Sequence, residues 1–450
     1  MRIAHSLARR AALALVFLVP ATSLQAAPID SAAVRVDRLP NAVMLDPGRF
    51  SVGAQLPVPL FGQQTNVWCW DASSLMVIKY FRPATTLQEC DIAKQATPGA
   101  TTCCGNPFAA PCVHTGWEML SANGFTSTQT PTLSWKDLVS EISTRHKPVL
   151  YAIGWHGGGG HMLVATGWFT IAGQNYVHVN DPWPPPEGSG VGGAAESPTY
   201  DNWLGGSSAD YDHNPWAYWT NITDTRKPYG PIRQISAVQL ATIVHPPGPD
   251  PMRDRMAVQP EVTQRATRTL DDIRSAPPGV TRQLGFPTAE EAKGAQLGTP
   301  IQEYTLTLSA LRAYTPGTAA PKVLSGGTTY FYPVVANGVI RSSVRVSAQV
   351  GQVPKLLSIG DTGTAARLQR IEELGPQLRK AGGESIPAVR IPAMGLYFIA
   401  RKGSGGTLEI ASTFDVPNLG LRRGAYESAE AVFARLAPFA RNIDDKNSVM

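Results

Sequence analysis

Apolar positions Trp70, Val77, Ile78 and Phe81 recur at helical spacing around small Ser74, which predicts a helix opening near Cys69. Residues 115–123 predict a short helix stopped by Gly124. Ser134 is placed to cap a helix running to Ile142, with Trp135, Leu138, Val139 and Ile142 on one face. The pattern then changes period. Residues 148–155 form a near-continuous apolar run, read as a buried strand. Glycines 157–160 lead into a second strand over 161–169, Gly173-Gln174-Asn175 reads as a turn, and 176–181 as a third strand. Helices followed by a run of strands point to an α+β arrangement.

Further along, 302–308 and 330–335 read as strands, and Asn337-Gly338 fits a tight hairpin into 339–346. Residues 365–374 predict a helix stopped by Gly375-Pro376. Residues 389–400 and 408–412 read as strands, and 425–437 as a helix. No internal repeat is visible.

The chemistry-bearing residues are unevenly spread. All ten tryptophans lie between Trp68 and Trp219, all five cysteines between Cys69 and Cys112, and the last histidine is His245. The Pro-rich segment after His245 marks a composition boundary. The organisation expected is therefore an export signal over 1–27, a short segment over 28–47 and a first α+β domain over 48–246. A Pro/Arg-rich linker over 247–287 and a second α+β domain over 288–443 follow. The export reading rests on Arg9 and Arg10, the apolar run 11–19 and the small residues near Ala27. That run falls far short of the ~20 residues a membrane span needs, so no stable membrane insertion is expected. The location expected is secreted or periplasmic. The net charge is +5, and Arg2, Arg9 and Arg10 carry three of those charges. The remainder gives no footprint for nucleic acid.

Five cysteines in an exported chain leave one over once pairs form. Cys103 and Cys104 are adjacent and poorly placed to bridge each other. That favours Cys90 with one of them and Cys112 with the other. A zinc site is the rival reading, and it lacks the usual closely spaced pair. Cys69 remains, at a helix start where free N–H groups and the helix dipole favour a thiolate. Asp71 stands close by, and its charge opposes that ionisation. Upstream, Gln63 or Gln64 can fold back over Cys69 and help hold an oxyanion.

Gln64-Thr65-Asn66-Val67-Trp68-Cys69-Trp70 followed by a helix resembles the nucleophile segment of papain-like cysteine peptidases. It resembles most the bacterial branch of effector peptidases and double-glycine leader peptidases. The resemblance covers about 56–221. It implies a papain-like catalytic domain, with Cys69 as nucleophile and Gln64, five residues upstream, as oxyanion residue ahead of Gln63. His161 opens an apolar strand and resembles the family's general base, with His156 in the preceding loop as its rival. The third strand ends Asn180-Asp181-Pro182. The Asp-Pro pattern favours Asp181 as the group orienting His161, with Asn180 as the alternative.

The function expected is hydrolysis of peptide bonds in a peptide or protein substrate, with no cofactor and no metal. The alternatives are a thiol-dependent acyltransferase or amidase on the same residues, and a catalytically silent binding protein. The second domain has no Cys and no His after His245. It is read as a module binding substrate or a surface, or as an inhibitory extension.

Overall fold

The computed structural model describes residues 43–44, 51–225 and 256–441, save 98, 100, 108, 110, 113, 115, 156, 184–191, 206–212, 349–351, 372–374 and 381–383. The expected export signal, nearly all of the 28–47 segment and His156 lie outside the described residues. Residues Asn41–Met450 form one compact unit.

The helix expected at Cys69 spans Cys69–Phe81. Every residue from Cys69 to Ile78 is buried, so it is enclosed on all sides rather than along one stripe. It lies on the strand Gly160–Ile171, and the Ser73 hydroxyl donates to the Met162 carbonyl at 2.8 Å. A second helix, Glu89–Ala96, packs beside it. Its short length and mixed face left no clear period in the sequence.

The central strand, Gly160–Ile171, organises the first part of the sheet. Val149–Trp155 pairs with its first half and Ser51–Gln55 with its second, while Gln174–Asp181 runs along its other edge. His213–Asp224 lies outside Val149–Trp155, with Phe125–Thr130 beyond it. All these pairings are antiparallel.

The sheet does not stop at the composition boundary. Ala194–Pro198 pairs with Gln174–Asp181 on one side and with Lys355–Ile359 on the other. From there it continues through Val339–Ser347, Ser325–Ala336 and Ile301–Thr305. A parallel pairing brings in Glu384–Ile391, followed by Leu396–Lys402, Leu408–Ser412 and Tyr426–Ser428.

Several expectations are corrected. Over 115–123 the helix reduces to one 3-10 turn, Ser121–Asn123, closed by left-handed Gly124. Ahead of that turn the chain passes so close to Trp70 that a Cβ on Gly116 would strike its ring. The hairpin after the His161 strand turns on Ala172 and Gly173, both at positive φ, one residue earlier than read. The strand expected over 302–308 ends at Thr305, and Thr307 caps a short helix, Leu308–Arg312. The strand expected over 389–400 is two strands, broken at Pro392–Met394 and left-handed Gly395. Gly375-Pro376 opens a short helix, Gly375–Leu378, rather than ending one. The last helix begins at Ala429, after the strand Tyr426–Ser428, and runs to Arg441.

The stretch expected as a linker carries two helices, Pro260–Arg274 and Pro278–Gln283. The first presents Val262, Ala266, Leu270 and Ile273 to a core that also takes Phe169, Ile171 and Tyr176 from the first part of the chain. Its prolines punctuate helix starts, where the missing N–H has no partner to lose.

Candidate active site

Cys69 is the first residue of its helix, fully buried, and a free thiol. The other four cysteines pair as Cys90–Cys104 and Cys103–Cys112, within the pairings left open by the sequence. The second bridge braces the nucleophile segment, because the Trp68 indole N–H donates to the Cys112 carbonyl at 2.8 Å.

Cys69 stands beside the His161 ring, and its thiol is one of the groups that raise the imidazole pKa. His161 Nε2 lies 2.6 Å from Asp181 Oδ1. The same Asp181 oxygen accepts the Trp183 backbone N–H at 2.7 Å, which fixes the carboxylate. Trp155 stacks on the His161 ring, with centroids 6.3 Å apart. Burial alone would push the imidazolium pKa down. The charge and hydrogen bond of Asp181, with the contact to Cys69, outweigh it and hold the pKa well above the usual histidine value.

The two residues at the end of the third strand point apart, as strand alternation requires. Asp181 meets His161, while Asn180 Nδ2 donates to the Val58 carbonyl at 3.2 Å, away from the ring. The glutamines also separate. Gln64 is exposed, and its backbone N–H donates to Glu89 Oε2 at 2.8 Å. Gln63 is 1% exposed and lines the same cleft as His161 and Asp181. Its backbone N–H donates to the Pro182 carbonyl at 2.8 Å, tying this segment to the Asp181 corner. The irregular turn between Gln63 and Cys69 decides which amide faces inward, and no periodicity reports it.

Sequence reasoning missed Glu89. It is buried, and its pKa is pushed up to about 8, chiefly by burial, against the pull of the Gln64 N–H. Asp71 is fully buried, with neither oxygen hydrogen-bonded. Burial first, then the charges of Glu89 and Cys69, push its pKa well above the carboxylate range. That raised pKa weakens the opposition to thiolate formation expected from this residue.

The cleft beside His161 is a cavity of about 210 Å³ walled by both parts of the chain. Gln63, His161 and Asp181 reach it from one side, and Glu303, Arg345 and Asp361 from the other. The glycine loop before His161 is nested in the second part. A Cβ on Gly157 would strike Thr307, and one on Gly159 would stand 2.8 Å from Ala393 Cβ. Beyond Asp181, the Trp183 ring packs edge-on against Phe414 at 5.5 Å, and a Cβ on Gly395 would strike it.

Of the remaining histidines, His178 is buried with its pKa lowered to about 4 by burial, and its Nδ1 lies 3.1 Å from Ser197 Oγ. The His/Cys/Asp/Glu group spaced for a metal among the described residues is Cys90, Asp91 and Cys104, and both of its sulfurs are in a disulfide. No helix among the described residues is long and apolar enough to cross a membrane.

Residues 52–192 match the family model described as papain-like cysteine protease AvrRpt2. No curated protein and no solved structure matches the chain.

Proposed function

From the premise that residues 52–192 form a papain-like cysteine peptidase domain of the bacterial effector kind, we propose that the protein hydrolyses peptide bonds through an acyl-enzyme on Cys69. The carrying observation is the His161–Asp181 pair at 2.6 Å, with the free thiol of Cys69 near enough to raise the His161 pKa. His161 takes the thiol proton, and Asp181 stabilises the imidazolium that results. The thiolate attacks the substrate carbonyl carbon. Negative charge builds on the carbonyl oxygen. The Cys69 backbone N–H would hold it together with one N–H of the Gln63 amide, whose other N–H donates to the Thr65 carbonyl at 2.7 Å. The imidazolium then gives its proton to the leaving amine, the C–N bond breaks, and a thioester remains. His161 next takes a proton from water, and hydroxide attack on the thioester returns the thiol.

Two further assignments belong to this reading. The molecule acts after export, in a secreted or periplasmic setting, since two disulfides persist only where conditions are oxidising. The residues after 255 act as part of the catalytic body. They wall the cleft and hold the segments on either side of the His161–Asp181 pair.

Labelling the full-length protein with an epoxide inhibitor of papain-like enzymes, followed by peptide mapping, tests the proposal. One adduct on Cys69, lost in His161→Ala, is expected. Absence of any adduct together with no cleavage of a denatured protein substrate overturns it.

A further inference from the structure

A substrate held against His161 must occupy the cleft between the two parts of the chain, so its walls set what is accepted. Three carboxylates and three guanidiniums line it away from the reacting atoms. Arg345 serves most of the acids, standing 3.1 Å from Glu303, 3.4 Å from Asp361 and 3.8 Å from Glu196. Arg390 stands 3.8 Å from Glu303, and Arg367 donates to Thr364 and lies over the Phe414 ring. Asp361 also accepts the Thr364 backbone N–H at 2.8 Å.

Glu196 is the least satisfied acid of this set. Its contact to Arg345 is beyond hydrogen-bond range, and that cation is shared with two closer carboxylates. Burial, then the charge of Asp361, push its pKa up to about 8 despite Arg345 and Arg390. The wall is short of positive charge at this point.

Its place in the fold turns Glu196 into the cleft. Across the paired strands Asp181 stands opposite Ala194, and Glu196 lies two residues further on. Strand alternation therefore puts Asp181 and Glu196 on one face, as diagonal neighbours. A second observation marks the cleft as a binding site. The Trp183 indole N–H (8% exposed) and Gln63 Oε1 are buried without hydrogen-bond partners, and both residues line the cleft. A donor and an acceptor left open in the cleft that His161 lines match the carbonyl and N–H of an extended peptide.

We propose that Glu196 is a specificity residue, receiving a lysine or arginine side chain of the substrate in the cleft between the two parts of the chain. The proposal rests on the peptidase reading and names its substrate class.

The test uses the full-length protein and paired peptides carrying arginine or citrulline, a neutral side chain of the same shape. The pair is moved through positions on both sides of the scissile bond. At one position the arginine peptide, and a lysine counterpart, should show kcat/KM about tenfold or more above citrulline. Glu196→Gln should bring that ratio to within about twofold, and Glu196→Asp should keep part of it. The wild-type comparison needs no variant, so a misfolded mutant leaves the proposal open to refutation. Equal cleavage of arginine and citrulline peptides at every position overturns it, as does an undiminished ratio in Glu196→Gln. If Cys69 takes the epoxide label but peptides with basic residues are not cut, the specificity proposal falls and the thiol site stands. If Cys69 takes no label and nothing is cut, the peptidase reading falls with it.

Discussion

Gln63 and Gln64 are chemically identical neighbours with opposite fates, one lining the cleft and one in water. Losing an oxyanion donor costs about 10²–10³-fold in kcat. On the proposed mechanism Gln63 is that donor, so Gln63→Ala should fall by that order in peptide hydrolysis, while Gln64→Ala stays near wild type. Asp181→Asn removes the charge that holds the His161 pKa up. The imidazolium of the wild-type protein persists above the ordinary histidine range, so the alkaline limb of kcat/KM should lie there. In Asp181→Asn that limb should move to lower pH, as read from a pH–rate profile. Glu89 gives a stability prediction. Its folded pKa of about 8 exceeds the unfolded value near 4.3, so between these pH values the folded state binds more protons. Stability from this residue falls as pH rises through that window. Glu89→Gln should raise the unfolding midpoint at pH 8 and change it little at pH 4, as followed by circular dichroism. The positions of Cys69, His161 and Asp181 were legible because each sits at the edge of a strongly patterned element. Those of Gln63, Glu89 and Glu196 were not, since they depend on which way a turn or a distant strand directs them.

At the level of elements, the tightest constraint lies beside Asp181. Gly395 is left-handed, at φ 60°, with the Trp183 ring where a side chain would begin. Trp183 in turn donates its backbone N–H to Asp181. Gly395→Ala should displace the Trp183 ring and with it the orientation of His161. A misplacement near 1 Å costs on the order of 10²-fold in kcat, which steady-state assays on a folded variant will read. The long strands and the Asn337-Gly338 hairpin were predictable from alternation and turn chemistry. The breaks were harder. Ile391-Pro392-Ala393-Met394-Gly395 reads as an apolar continuation of a strand, yet proline and a left-handed glycine fold it into a corner. The helix expected before Gly124 is a single 3-10 turn, and a side chain at Gly116 would strike Trp70, which periodicity does not report.

For the whole molecule, the composition boundary near His245 turned out to be a poor guide to the packing boundary. Histidine, cysteine and tryptophan report where chemistry is, whereas Phe169, Ile171, Tyr176 and Trp183 bury themselves against residues beyond 255. Each such side chain contributes on the order of 2 kcal/mol when buried. A chain ending near Pro247 exposes all four and leaves Ala194–Pro198 as an open edge. We expect that truncation to aggregate, or to unfold at a much lower temperature, with less peptide hydrolysis than the full chain. Greater activity on truncation would instead identify the later residues as an inhibitor.

The Cys103–Cys112 bridge, with the Trp68 indole resting on it, carries a practical consequence for anyone handling the protein. Thiol enzymes are customarily kept in strong reductant to protect the nucleophile. In this molecule the same additive would cut the brace that steadies the loop leading to Cys69, so its assay should pass through a maximum at mild dithiothreitol and decline as more is added.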